Sequence, residues 1–436
     1  MLTTLLNAFK VKDVRKKLLY TFIMLVIIRF GSNLPIPGVN TTYFKDFFEK
    51  QAGDAFGFFN AITGGSFESL SVLALSITPY ITSSIIIQLL TIAIPALEEL
   101  QQDGEDGRKK IVEYTRYLTV ALALLQSSAM AIGFGRQGLL IHFGIKSVIV
   151  AIVTMTAGSA FLMWIGERIT ENGVGNGISI VLLLNILASL PSDFNNLYVR
   201  FLKGQTVAKM VVAAAIIIAF VIAMVVFTII LQDAERRIPV QYSSKTQGRR
   251  SVGGASSNIP LKVNTAGVIP VIFASSIFST PIVIGQFLNI NNGSIIGEIL
   301  TYMNSSMWFK PEAPKYSVGL IVYIIMIILF AYFYTSITFN PLEVANNMKK
   351  SGGFIPGIRP GRTTVEYLNR VMTRITFVGA LFLAAVATLP TILTQLTPID
   401  VSFGGTSLLI VVGVALDSMK QLEQQMVMRN YQGFLK

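Results

Sequence analysis

The chain has 436 residues, 52% hydrophobic and only 13% charged, with a net charge of +12. A soluble domain carries about 25% charge, so this composition excludes a disordered chain and leaves too little polar side chain to cover a water-soluble globule. The class that remains is an integral membrane protein with many spans, and the absence of cysteine removes disulfides, thiolate metal sites and a cysteine nucleophile.

A helix needs about 20 apolar residues to cross a bilayer core. Ten segments fit, at about 18–34, 70–94, 115–134, 147–166, 177–191, 208–231, 264–288, 317–338, 375–396 and 404–419. The first follows a basic stretch, as a signal peptide would, but runs into GSNLPIPG with no small-residue cleavage site, so a retained helix is expected. It carries Arg29 near its outer end, the clearest buried ion, placed to snorkel or to contact backbone carbonyls. Residues 52–69 (AGDAFGFFNAITGGSFES) are too short to cross, apolar in patches and broken by glycine. They suit either a re-entrant plug in a cavity or a helix on the outer leaflet. The second and seventh spans contain Pro79 and Pro270, each expected to remove a backbone donor and kink its helix; Pro281 and Pro390 lie nearer span ends. The fifth span is short, as a helix buried among others or one in a locally thinned bilayer would be. Two long polar segments, 232–264 and 340–374, carry paired basic residues with Gly and Pro. They are basic loops that either lie on anionic lipid or dock a large acidic partner.

With ten spans both termini share one side. That side holds 25 Lys/Arg and the opposite loops nine, so the termini are expected in the cytoplasm. The cytoplasmic face is then net +10 and the outer face near neutral.

Catalytic sets are missing. The single histidine, His142, falls in an outer loop, and GFGRQG at 133–138 follows a membrane helix rather than a strand, so it is an accidental match to a dinucleotide motif. No phosphate-binding G-x-x-x-x-G-K-[ST] occurs. Acidic residues sit at span ends or in loops, whereas ion-coupled transporters keep them inside. A pathway almost free of fixed charge suits a passing object that its wall should not hold. A channel is therefore favoured over a secondary transporter or a membrane enzyme.

The segments GSNLPIPG (31–38), FNAITGG (59–65), PYITSSIIIQLL (79–90), FLMWIGERITENGVGNGISI (161–180), QGRR (247–250), PLKVNTAGVIPVIFASS (260–276), NPLEVANNMKKSGGFIPGIRPG (340–361), VMTRIT (371–376) and FGGTSLLIVVGVALD (403–417) resemble, in this order, the SecY family. These are channel subunits of the bacterial protein-export translocon. The resemblance implies an all-α integral membrane fold: ten transmembrane helices in two inverted pseudo-symmetric five-helix halves, 1–195 and 205–436, with a re-entrant plug helix at about 56–69. It implies a channel without cofactor or ATP site of its own, in the bacterial cytoplasmic membrane. Implied partners are SecE, SecG, the SecA ATPase, the ribosome, signal sequences and nascent polypeptides, with SecDF, YidC and membrane lipid as further associates.

The resemblance also assigns residues. A pore ring maps to Ile77, Ile81, Ile178, Leu182, Ile272 and Ile410; Leu182 stands where the family often has isoleucine. The pairs Ile77/Ile81 and Ile178/Leu182 are spaced i,i+4, so each shares one helix face. The plug would include Phe59, Asn60, Ile62, Gly64 and Gly65. A lateral gate would place Thr82, Ser83 and Gln88 across a seam from Ser275 and Ser276, with Gln126 nearby. Docking of SecA or the ribosome would use Arg236, Arg237, Arg249, Arg250 and Arg359, whose guanidinium forks suit carboxylate or phosphate.

Overall fold

The structure, a computed structural model, describes residues 9, 11–42, 60, 62–135, 140–197, 207–242, 245–247, 250–252, 256–287, 294–308, 314–396 and 405–433. It is mostly helical. In chain order the long helices are α1 (Lys12–Ser32), α2 (Thr78–Ala93), α3 (Pro95–Gln102), α4 (Glu105–Phe134), α5 (Ile145–Asn172), α6 (Gly177–Leu197) and α7 (Val207–Asp233). After four short strands come α8 (Ile269–Phe287), α9 (Ile295–Met303), α10 (Ser317–Thr338), α11 (Pro341–Lys350), α12 (Arg362–Leu396) and α13 (Gly405–Gly433). The ten apolar segments overlap these helices, although 70–94 and 264–288 begin several residues before α2 and α8. Among the described residues, five helices are long and apolar enough to cross a membrane, or six if α2 and α3, bent by 106° at their junction, form one broken span. Gly177–Pro191 and Ile269–Ile282 are shorter apolar helices.

The apolar surface is inverted relative to a soluble protein. On α7, Val211, Val212, Ile216, Ile218, Ile222, Val226 and Ile230 are all exposed, as a lipid-facing helix requires. Burial is concentrated between helices. α4 packs on α2 and α5, α10 lies between α8 and α12, and α13 touches both α6 and α7. Helices α1–α6 meet the later ones where α8 packs on α4 and α2 and where α13 packs on α6 and α1. One large apolar cluster draws on most of them, with Ile28 from α1, Leu162 from α5, Met224 from α7 and Leu383 from α12, while Ala123, Met130 and Phe134 of α4 pack in a second cluster.

Two expectations are corrected. Pro79 and Pro270 do not interrupt their helices; each lies in the first helical turn, because α2 starts at Thr78 and α8 at Ile269. There a missing N–H costs nothing, since first-turn donors have no intrahelical acceptor. Interior prolines are instead Pro191 in α6, Pro281 in α8 and Pro390 in α12. The second correction concerns fold class, because the 232–264 segment is not a plain loop. It contains β1 (Glu235–Tyr242), β2 (Lys245–Gln247), β3 (Arg250–Val252) and β4 (Ser256–Lys262). β1 and β4 pair antiparallel from Glu235↔Lys262 to Gln241↔Ser256. A further strand from the 340–374 segment, β5 (Gly353–Phe354), pairs with the other edge of β1. This small sheet is seated on its own apolar cluster, with Ile238, Val240 and Leu261 packed against Met348 of α11 and Leu368 and Val371 of α12. The fold is therefore a helical membrane protein with a small sheet, not strictly all-α.

Candidate pore, plug segment and seam

The six aliphatic residues singled out by resemblance come from four helices and meet in the large cluster. Ile77, Ile81, Leu182, Ile272 and Ile410 are buried in it, and the half-buried Ile178 packs against it. Local sequence explains why they converge. α2, α6 and α8 each begin after a turn, with Ile77 buried at the start of α2 and Asn176 exposed at the start of α6. Ile77 is the N-cap residue of α2, with Pro79 fixing the first turn behind it. Asn176 starts α6 by accepting hydrogen bonds from the Ile178 and Ser179 N–H groups through Oδ1, at 3.1 and 3.3 Å. Asn264 braces the turn before α8 by donating to the Gly267 carbonyl at 3.0 Å. The starts of these three helices and Ile410 of α13 thus all contribute aliphatic side chains to the one large cluster.

Of the plug residues, Phe59 lies outside the described residues. Asn60 donates through Nδ2 to Glu68 at 3.0 Å, and its carbonyl accepts from Thr63 Oγ1 at 3.1 Å. Ile62 is buried in the same cluster as the ring residues. Gly64 and Gly65 both have positive φ, +65° and +79°, so they turn the chain where a side chain would strain it. Arg29 is exposed on α1 rather than buried, and its Nη1 donates to the Gly64 carbonyl at 3.2 Å.

The polar residues of the expected gate point elsewhere. Ser83 is buried, with its hydroxyl 2.6 Å from Thr119 Oγ1 of α4. The Ser275 hydroxyl lies 2.8 Å from Tyr323 OH of α10. Both contacts run within a helix group, not across the α2–α8 junction. Thr82 donates to the Thr78 carbonyl in its own helix, and the Ser276 carbonyl accepts from Thr280 Oγ1. Gln88 donates weakly to Ser84 at 3.5 Å. The Oε1 atoms of Gln88 and Gln126 are buried without a hydrogen-bond partner among the described residues. α8 still packs directly on α2 and α4, so the helices of the seam are adjacent even though these hydroxyls do not bridge it.

On the sheet side, Arg236 and Arg237 are exposed on β1, where Arg237 Nε pairs with Glu235 at 2.7 Å. Arg250 opens β3, and Arg249 lies outside the described residues. Arg359 is exposed in the turn before α12, and its carbonyl accepts from the Thr363 and Thr364 hydroxyls, tying the turn to the start of that helix. The β1–β5 pairing draws the two basic segments into one platform, which their separation in sequence does not reveal. Asn185 was also missed. It is a lone amide in LLLNILA, a residue that must find a partner when buried in a span, and it donates to Ser76 Oγ at 2.9 Å.

Long apolar helices packed on a large aliphatic cluster, with a small polar sheet beside them, define a multi-helix integral membrane protein. Residues 71–419 match the SecY family model. The protein translocase subunit SecY of Streptomyces galbus is 44% identical over the full length of both chains, and that of Halalkalibacterium halodurans 42% identical, also over both full lengths. The chain belongs to the SecY family. Solved structures give the same fold at lower identity. A protein-conducting channel aligns with a TM-score of 0.66 and 20% identity, covering 95% of this chain and 93% of the other. Sec61 from the canine ribosome-channel complex of the endoplasmic reticulum aligns at 0.63 and 19%, with 95% and 93% covered.

Proposed function

We propose that this chain is the protein-conducting subunit of a translocase, passing unfolded secretory polypeptides across the bacterial cytoplasmic membrane and releasing membrane helices sideways into it. The observation that carries this is the convergence of six aliphatic side chains from four helices on one cluster, with Ile62 of the 56–69 segment packed into it. An apolar constriction resists water and ions by dewetting, and it offers a passing polypeptide no charge to bind.

In this reading the chain crosses the membrane ten times, with both termini in the cytoplasm and two halves, 1–195 and 205–436. Residues 56–69 are the plug on the outer side of the ring. The seam between α2, α4 and α8 opens to lipid, and an apolar segment of about 20 residues leaves through it, driven by burial of its apolar surface. The polar face of such a seam is the uncompensated Gln88 and Gln126, not Ser83 and Ser275. SecE and SecG complete the channel. SecA or the ribosome docks on the platform of β1, β5 and the Arg359 turn and supplies the energy. Ribosome binding is supported by the fold shared with Sec61 of the ribosome-channel complex.

The decisive experiment reconstitutes the chain with SecE and SecA in liposomes. ATP-dependent protection of a secretory preprotein from external protease is expected; solute uptake without protection would overturn the proposal. At the platform, Arg359→Glu is expected to reduce SecA-driven export by reversing the charge at an exposed turn whose backbone contacts it leaves in place. Undiminished export would put the docking determinant elsewhere.

A further inference from the structure

The segment from Ile62 to Ile77 is held from outside by three helices that do not belong to it. Arg29 of α1 donates to the carbonyl of Gly64 at 3.2 Å. From the other side, α6 presses its backbone on the same residue: a Cβ on Gly64 would sit 2.8 Å from the Asn185 carbonyl oxygen and 2.9 Å from its Cα. The Asn185 side chain then reaches past to Ser76 Oγ at 2.9 Å, and Ser159 of α5 donates to the Ser76 carbonyl at 3.1 Å. Between these ties the backbone is strained. Leu70 and Ser76 are buried non-glycine residues with φ of +44° and +50°. Such conformations persist only where surrounding contacts over-determine them.

We propose that Arg29 and Asn185 are positioning residues of the seal, a two-point clasp that keeps segment 62–77 seated under the aliphatic ring and is released when the ring widens. The proposal rests on the reading of 56–69 as a plug. Asn185 lies three residues beyond Leu182 on α6, so the two share a helix face. Any outward movement of α6 that widens the ring at Leu182 carries Asn185 away from Gly64 and Ser76. Arg29 supplies the second point. A guanidinium at the end of a span gains most by a charge-assisted bond to a carbonyl, and the Gly64 carbonyl is held towards it by the positive-φ turn. The strain at Leu70 and Ser76 is relieved on release, which favours a displaced segment once the clasp opens.

The test measures resting ion conductance of the purified SecE- and SecG-containing complex in planar bilayers, without SecA or preprotein. Arg29→Leu and Asn185→Leu are each expected to raise it by about tenfold, the shift in open population that loss of one charge-assisted or buried hydrogen bond produces. Arg29→Lys, which keeps a charged donor, is expected to restore most of the seal, a rescue that a purely structural role for the arginine would not produce. Deletion of 58–66 serves as the reference for a missing plug. A leaky deletion beside tight leucine variants overturns the clasp and leaves the plug reading standing. A tight deletion overturns the plug reading itself. If the leucine variants do not assemble, Ser76→Ala removes only the acceptor for Asn185. A leak in that variant supports the clasp, and wild-type conductance overturns it.

Discussion

Replacing Leu182 by asparagine is expected to make the resting channel leak ions and to lower the unfolding temperature of the complex. Leu182 is 3% exposed and lies among Ile77, Ile81, Ile272 and Ile410. A buried amide with no partner costs about 1–3 kcal/mol in lost hydration, beyond the packing lost with the leucine side chain. The surroundings offer no ready acceptor, since the neighbours are hydrocarbon. The amide therefore recruits water, and water in the constriction is what the apolar ring excludes. Stability and seal should fail together. Leu182→Ile separates the two causes: it preserves volume and apolarity, costs less than about 1.5 kcal/mol, and should leave conductance unchanged. Single-channel recording beside thermal unfolding in detergent checks both. A tight asparagine variant would mean that the narrowest point of the pathway lies away from α6.

The extent to which the molecule was legible in its sequence depends on what each residue pattern encodes. Apolar runs of bilayer length marked where the long helices lie, because chain length and hydrocarbon thickness fix that pattern without reference to tertiary contacts. They did not mark where α2 begins. Residues 71–77 (SVLALSI) are as apolar as the helix that follows, yet they form turns packed on α5, so hydropathy runs through the boundary and Pro79 reads as a mid-helix proline. The hairpin escaped for the opposite reason. In ERRIPVQY the alternation of buried Ile238 and Val240 is only two residues deep and is masked by paired arginines and Pro239. Spacing did place Ile77/Ile81 and Ile178/Leu182 on shared faces, and those faces turn to one cluster. The partners of Ser83 and Ser275 were beyond reach, since the rotation of each helix decides whether a hydroxyl meets Thr119, Tyr323 or the opposite side of the seam. For Arg29 the sequence leaves snorkelling and carbonyl contact both open. Which carbonyl depended on the left-handed turn at Gly64.

Gly158→Val is expected to impair assembly of the protein. Gly158 lies in α5, and a Cβ there would overlap the Val72 carbonyl and press on Leu73 Cδ2 at 3.3 Å. The obstacle is backbone and cannot step aside as a side-chain end would. Val72 is itself pinned, because its N–H donates to the Leu34 carbonyl at 2.8 Å, and the neighbouring Ser159 fixes Ser76. Relief therefore requires segment 71–77 to lift from α5 as a unit. Overpacking of this kind costs about 1–3 kcal/mol when a side chain yields, and more when a hydrogen-bonded backbone must move. Ile77 ends that segment, so lifting it also withdraws one member of the aliphatic cluster. Gly158→Ala should show the two consequences in order of severity: a complex that still assembles, with a lowered unfolding temperature and a raised resting conductance. The valine variant should be recovered poorly or not at all. Yield after purification, thermal unfolding and planar-bilayer conductance read these outcomes. A valine variant of wild-type stability would show that segment 71–77 can leave its α5 seat at little cost, and a stable but leaky one would assign that seat to the seal alone.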